Sequence, residues 1–220
     1  TGNEDYFNNW IDSYWSWLEK YPCPEGKTSQ MEWTGLQLSS RISVQTEILW
    51  YYIHSSGFTP ALLTKFLKAL YQHVECQRSN WYNTATSNIR LSQEQAFTIA
   101  AIMYPEFVKS EEWLSEGASA IANQLETQFL EDGVHNEFDI SYHFGDTGLA
   151  AFTELFSIVS ANDKLSLFPS DYKDKLYRAT QFMKDVIYPN YSVDNFNDTR
   201  SQRVTKSVLL KNFRTYSSMF

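Results

Sequence analysis

The stretch Asp132-Gly133-Val134-His135-Asn136-Glu137-Phe138-Asp139-Ile140-Ser141-Tyr142-His143 crowds carboxylates, imidazoles and a phenol between two helical patterns. Tyr142 could give a proton to a leaving oxygen, or act as a base if pulled well below the usual pKa of ~10. His143, Arg90 or the partners of a bound anion could do that pulling. Glu137 and Asp139 could instead serve as a carboxylate pair for glycoside hydrolysis, although a spacing of two does not set the separation such chemistry needs. Taken alone, Tyr142 reads more simply as a core residue with a satisfied hydroxyl. Gly133 supplies the positive φ that follows a helix end.

Some fifty residues earlier lies Ser79-Asn80-Trp81-Tyr82-Asn83-Thr84-Ala85-Thr86-Ser87-Asn88-Ile89-Arg90. Asn88 both donates and accepts hydrogen bonds without net charge. Arg90 could take a carboxylate or sulfate bidentately. The plainer reading is a polar loop whose Asn and Ser cap the next helix. No Gly-rich phosphate loop, Gly-x-Ser-x-Gly elbow or His-Glu-x-x-His occurs, so nothing supports cofactor chemistry. His54 and His73 fall inside helical stripes and read as packing or surface residues.

The elements that must position these loops are helical nearly throughout. Leu62, Leu63, Phe66, Leu67, Leu70 and Val74 form a stripe at spacings of three and four. Thr59-Pro60 opens that helix as cap and first-turn proline, and Gly57 closes the one before. Further helices are predicted at roughly 3–20, 30–55, 91–103, 110–130, 142–160, 171–188 and 198–215, with Ser110-Glu111-Glu112 as the start of the fifth. About eight helices and no strand, joined alternately by short turns and long polar loops, predict an all-α fold: an incomplete (α/α) toroid of antiparallel hairpins. No repeat of fixed period favours a solenoid, and residues 1–220 are read as one domain.

The chain of 220 residues carries 18 basic and 26 acidic side chains, a net charge of −8 that disfavours nucleic-acid or membrane-surface binding. Arg200, Arg203, Lys206, Lys211 and Arg214 make the last segment basic, which reads as a solvated helix face. The 14 Tyr, 15 Phe and 7 Trp suit a large core and also suit sugar platforms, since a ring packs on the C–H face of a pyranose. Cys23 and Cys76 show no metal spacing and neither demand nor exclude an oxidising compartment. No apolar run approaches the ~20 residues of a membrane span. Thr1 carries no initiator Met or signal peptide, so the chain reads as a processed or trimmed product.

At these residues the chain resembles the helical N-terminal domain of the heparinase II/III-like polysaccharide lyases, nearest the heparinase III type. The resemblance rests on Ser87-Asn88-Ile89-Arg90-Leu91, on Tyr104-Pro105-Glu106-Phe107 with Trp113 and Gly117, and on Asp132-Gly133-Val134-His135-x-Glu137 leading to Tyr142-His143. Glu32-Trp33 with Leu36 and Arg41 fits an earlier helix, and Phe196-Asn197-Asp198 a later segment. It covers most of the chain in the expected order.

The resemblance implies metal-independent β-elimination at uronic acid residues of an acidic polysaccharide, heparan sulfate above all. Asn88 would stabilise the substrate carboxylate while the C5 proton leaves, and Tyr142 would protonate O4 of the departing sugar. Arg90, Arg41, Glu137, His143 and Trp81 are the expected substrate-binding residues. Related alginate lyases place His after the matching Asn; here Ile89 follows, so no second base stands there. The family carries a β-sandwich domain after the toroid, with a catalytic His and a structural metal. No strand pattern precedes Phe220, so this chain is expected to hold half of a site, no metal, and no activity alone. The resemblance also implies a periplasmic or secreted protein. Alternatives from other classes are a non-catalytic glycan-binding domain and an inverting hydrolase using Glu137 and Asp198.

Overall fold

The computed structural model describes residues 4–83, 87–145, 148–194, 197, 205–207, 209–210 and 214. Among them eight α-helices form: α1 Glu4–Lys20, α2 Gly35–Tyr52, α3 Pro60–Ser79, α4 Asn88–Met103, α5 Ser110–Gln128, α6 Ile140–Phe144, α7 Leu149–Ala161 and α8 Tyr172–Asp185. Short 3-10 turns occupy Met31–Trp33 and Leu165–Leu167. The described residues contain no strand, and an isolated bridge joins Phe129 to His135. The fold is the expected all-α incomplete toroid.

α4 and α5 run antiparallel, since Glu94 meets Gln124 while Thr98 lies against Gly117. α4 packs on α2, α5 and α7, and it buries Leu91, Gln93, Glu94, Ala96, Phe97, Thr98, Ala100 and Ala101. A helix covered on so many sides belongs at the centre. Close approach of α5 depends on Gly117, where a Cβ would overlap the Thr98 hydroxyl. One core cluster gathers Trp33, Phe66, Phe97 and Trp113 from α1–α5; a second gathers Leu91, Ile121, Phe152 and Tyr172 from α4–α8. Each large side chain buried there contributes roughly 1.5–3 kcal/mol, and most aromatics serve this packing.

Local signals account for several boundaries. Thr59 Oγ1 accepts from Leu62 N–H at 3.2 Å, with Pro60 opening α3 as its sequence predicts. Other boundaries differ from expectation. The predicted 30–55 helix starts only at Gly35, because Thr34 is extended and Gly35 turns the chain at φ 55°. It ends at Tyr52, and Gly57 instead lets the Phe7 ring lie against the backbone. Ser110 is not a cap: its hydroxyl donates to the Pro105 carbonyl. The predicted 142–160 helix is split into α6 and α7 at Gly145 and Gly148, where a Cβ on Gly148 would overlap the Tyr142 carbonyl oxygen. The predicted 198–215 helix lies largely outside the described residues.

Candidate functional site

Contacts of Asn80, Gly133 and Asn197 relate the long connections to one another. Asn80 at the end of α3 donates to Gly26 O and accepts from Thr28 N–H, so loop 21–34 sits beside loop 80–87. Across the α4–α5 hairpin, Glu94 meets Gln124 and Thr98 lies against Gly117. Continuing that antiparallel register brings Asn88 level with the end of α5 and the segment leaving it. That segment is tied to α8 where the Gly133 turn, at φ 88°, abuts the Arg178 carbonyl; a Cβ there would lie 2.5 Å from it. Asn197 Nδ2 donates to Phe138 O at 2.6 Å, adding loop 186–197 to the same end. Trp81, Asn88 and Glu137 therefore lie on or beside the connections at this end of the helices, its rim, and Tyr142 follows in α6.

Asn88 opens α4 behind the Ser87 cap, whose hydroxyl accepts from Arg90 N–H at 3.1 Å. Its Oδ1 accepts from Ile89 N–H at 2.7 Å, the side chain is half-buried, and the amide Nδ2 is by its chemistry a donor. Arg90 is held more tightly. Its Nε donates to Glu94 Oε1 at 2.5 Å, and its guanidinium lies 4.4 Å from the Trp81 ring centroid. Trp81 in turn meets Phe97 edge-on at 5.2 Å. Burial raises the Glu94 carboxyl above its ordinary range, against the opposing pull of Arg90 and Gln124. The loop itself is pinned by Gln93, which accepts from Tyr82 N–H at 2.8 Å.

Tyr142 lies in α6, capped by Asp139, whose Oδ1 accepts from Tyr142 N–H at 3.0 Å and from the Ser141 hydroxyl at 2.7 Å. Asp139 is 3% exposed, and its Oδ1 serves that cap while its buried Oδ2 has no hydrogen-bond partner among the described residues. Burial of Asp139 beside an exposed Glu137 runs against the reading of the two as a hydrolytic pair sharing one open site. Glu137 is exposed on the rim, while Asp198 of the alternative pair lies outside the described residues.

His143 does not join the rim. It is 1% exposed, its Nε2 bonds Ala179 O at 3.0 Å, and Phe129, Phe144 and Phe182 surround its ring. Burial lowers its pKa to about 4. In this arrangement it packs α6 against α8 rather than reaching for a substrate. His135 behaves alike: Nδ1 accepts from Glu137 N–H at 3.3 Å, Nε2 meets Gln128 Oε1 at 3.2 Å, and burial lowers its pKa to about 4.

Arg41 is also fixed. Its guanidinium stacks 4.0 Å from Trp17 and 4.7 Å from Trp33, and Nη2 donates to Glu32 O at 2.7 Å. Burial lowers its pKa to about 10, so it stays cationic at neutral pH. Between loop 21–34 and the end of α3 opens a cleft of about 530 Å³, lined by Lys27, Thr34, Arg78, Asn80, Trp81 and Asn83 among others. An aromatic face beside amides suits a polar ligand such as a sugar, while the Arg78 charge is already met by Glu75, Glu112 and Glu116.

Sequence reasoning missed Glu94, Gln93 and Asn80, which set the posture of the rim. Arg90 and Glu94 at i,i+4 on one helix were the available signal. No cluster of three or more His, Cys, Asp or Glu fit for a metal occurs among the described residues, and none of their helices is long and apolar enough to cross a membrane.

The whole chain, residues 1–220, matches the Heparinase II/III N-terminus family, and it belongs to that family. It is similar to a heparin-sulfate lyase of Bacteroides thetaiotaomicron, with 33% identity over all of this chain and 32% of that protein. A heparin-sulfate lyase of Bacteroides stercoris is 26% identical over all of this chain and 35% of its own length. A crystal structure of heparinase III superposes with a TM-score of 0.90 at 33% identity, covering all of this chain and 34% of that one. The chain thus spans about a third of the length of the curated relatives it matches.

Proposed function

We propose that this chain is the toroid portion of a polysaccharide lyase that cleaves uronate-containing glycosaminoglycan, heparan sulfate foremost, by β-elimination. The observation that supports the reading is a half-buried Asn88 at the start of α4 beside the Arg90–Trp81 stack, with Tyr142 carried by the Asp139-capped α6. The names of the relatives supply the substrate class.

In the proposed reaction Asn88 Nδ2 donates to the uronate carboxylate. Charge developing there as the C5–H bond breaks is thereby stabilised. The electron pair forms the C4–C5 double bond as the C4–O4 bond breaks, and the Tyr142 hydroxyl delivers a proton to O4. For epimers whose C5 proton faces it, Tyr142 would act as the base. Arg90, oriented by the Trp81 ring, would supply positive charge to a sulfated chain with Glu137 and Trp81 along its path. Arg41, enclosed by Trp17 and Trp33, would act on it only at longer range.

The remaining catalytic group, a His, and a structural metal belong to a β-sandwich domain that would follow the toroid in the full-length protein. Activity of residues 1–220 alone is expected to be negligible, and the setting periplasmic or secreted. The test is the ultraviolet absorbance of the new C4–C5 double bond when the full-length protein meets heparan sulfate, chondroitin sulfate and alginate separately. A rise with heparan sulfate supports the reading, and no rise with any of the three overturns it.

A further inference from the structure

Cys23 and Cys76 stand 53 positions apart in the sequence yet come together in the fold, where the Cys23 thiol rests on the Gln72 carbonyl, one helical turn before Cys76. The surroundings hold them in place. Cys23 Sγ lies 3.7 Å from Gln72 O, Cys76 Sγ lies 3.9 Å from Trp33 O, and Asn80 Nδ2 lies 3.6 Å from Cys76 Sγ. Both are free thiols here. Their accessibility differs: Cys76 is 5% exposed within the core, whereas Cys23 is half-buried and lines an open groove of about 480 Å³ between α1 and α3.

We propose that Cys23 and Cys76 are a disulfide-forming pair that clamps loop 21–34 to the end of α3. Loop 21–34 forms one wall of the cleft beside Trp81, and the described contacts from loop to helix there include two bonds of Asn80. A covalent bond one turn before Asn80 fixes that wall and leaves the α4 side of the rim untouched.

The chemistry needs an oxidant, and a small dialkyl disulfide such as oxidised glutathione suffices. The Cys23 thiolate attacks one sulfur of that disulfide, forming a mixed disulfide and releasing one thiol. The Cys76 thiolate then attacks Cys23 Sγ, forming the internal bond and releasing the second thiol. Two cysteine thiols are oxidised and one external disulfide is reduced, with both protons passing to the released thiols. The neighbouring Cys76 and burial push the Cys23 thiol up, so its attack is the slow step. Once Cys23 is capped, the Arg41 charge and the Asn80 amide remain beside Cys76 and favour the thiolate that resolves the mixed disulfide, against the pull of burial.

The test is to incubate the reduced chain with oxidised glutathione and follow intact mass, alkylatable thiols and thermal unfolding. The expected result is a product lighter by two hydrogens, with neither cysteine alkylatable and Cys23 and Cys76 joined in one peptide pair. Its Tm should rise by about 10 °C, the stabilisation a loop of this length gives in the chain-entropy model, and fall back with dithiothreitol. Cys76→Ser should trap glutathione on Cys23. Thiols that remain alkylatable, glutathione adducts that persist on the unmutated chain, covalent dimers or an unchanged Tm would each overturn the clamp.

Discussion

Replacing Arg90 by Leu should expose how strongly the rim depends on one buried ion pair. Glu94 is 2% exposed, and Arg90 is its cationic partner, at 2.5 Å. Removing one member of a buried pair costs ~3–5 kcal/mol, because the other charge stays uncompensated. Arg90 is itself 20% exposed, so water reaches part of the pair and the lower figure applies, about 3 kcal/mol. For a chain of this length that corresponds to a Tm lower by roughly 6–12 °C. The loss should depend on pH. Glu94 already sits above the ordinary carboxylate range through burial, and without Arg90 it must rise further. A carboxyl raised in the folded state destabilises fully above its folded pKa, and the deficit vanishes below the unfolded value of ~4.3. Thermal melts of Arg90→Leu and of the parent chain, at pH 7 and near pH 5, therefore should converge as pH falls. Adding Glu94→Leu should restore most of the loss at pH 7. A penalty independent of pH, or a double variant no more stable than the single, would refute the reasoning.

Further perturbations separate the other supports of the site. Asp139→Ala removes the α6 cap and should cost about 1 kcal/mol in denaturant unfolding, with a larger proportional effect on turnover because Tyr142 rides on that helix. Gly148→Ala forces a Cβ onto the Tyr142 carbonyl and should cost on the order of 2 kcal/mol by the same assay; Ser16→Ala, at an exposed hydroxyl, should be near neutral. His135 and His143, lowered to about 4, and His73, lowered to about 3, are all depressed by burial. The unfolded chain binds more protons than the folded one below ~6.5, so stability should fall as pH drops from there toward 4, by up to ~3 kcal/mol per histidine. A stability profile flat between pH 6.5 and 4 would contradict their neutral burial.

Much of the architecture is legible in residue order because helical periodicity and cap chemistry act locally. Thr59-Pro60 opens α3, and Gly133 turns at positive φ. What escaped depends on contacts between distant residues. Gly145 and Gly148 fit a helical pattern as tolerated glycines, and the crowding that breaks the helix appears only when the chain folds back on Tyr142. His143 looked available beside Tyr142, yet α6 spans five residues, too few for periodicity to reveal its buried face. Arg41 reads as an unoccupied cation until Trp17 and Trp33 close on both sides. The resemblance placed the family, while the posture of Arg90 comes from Glu94, inside the helix it starts.

The most direct test of the central claim is the elimination rate of full-length protein carrying Tyr142→Phe, read by ultraviolet absorbance on heparan sulfate under saturating substrate. Loss of the proton donor should lower kcat by about 10²–10⁴-fold with KM little changed, and the variant should melt with the parent protein. Asn88→Ala in parallel should lower it by roughly 10²–10³-fold. A Tyr142→Phe protein that is folded and turns over at the parent rate would contradict the account.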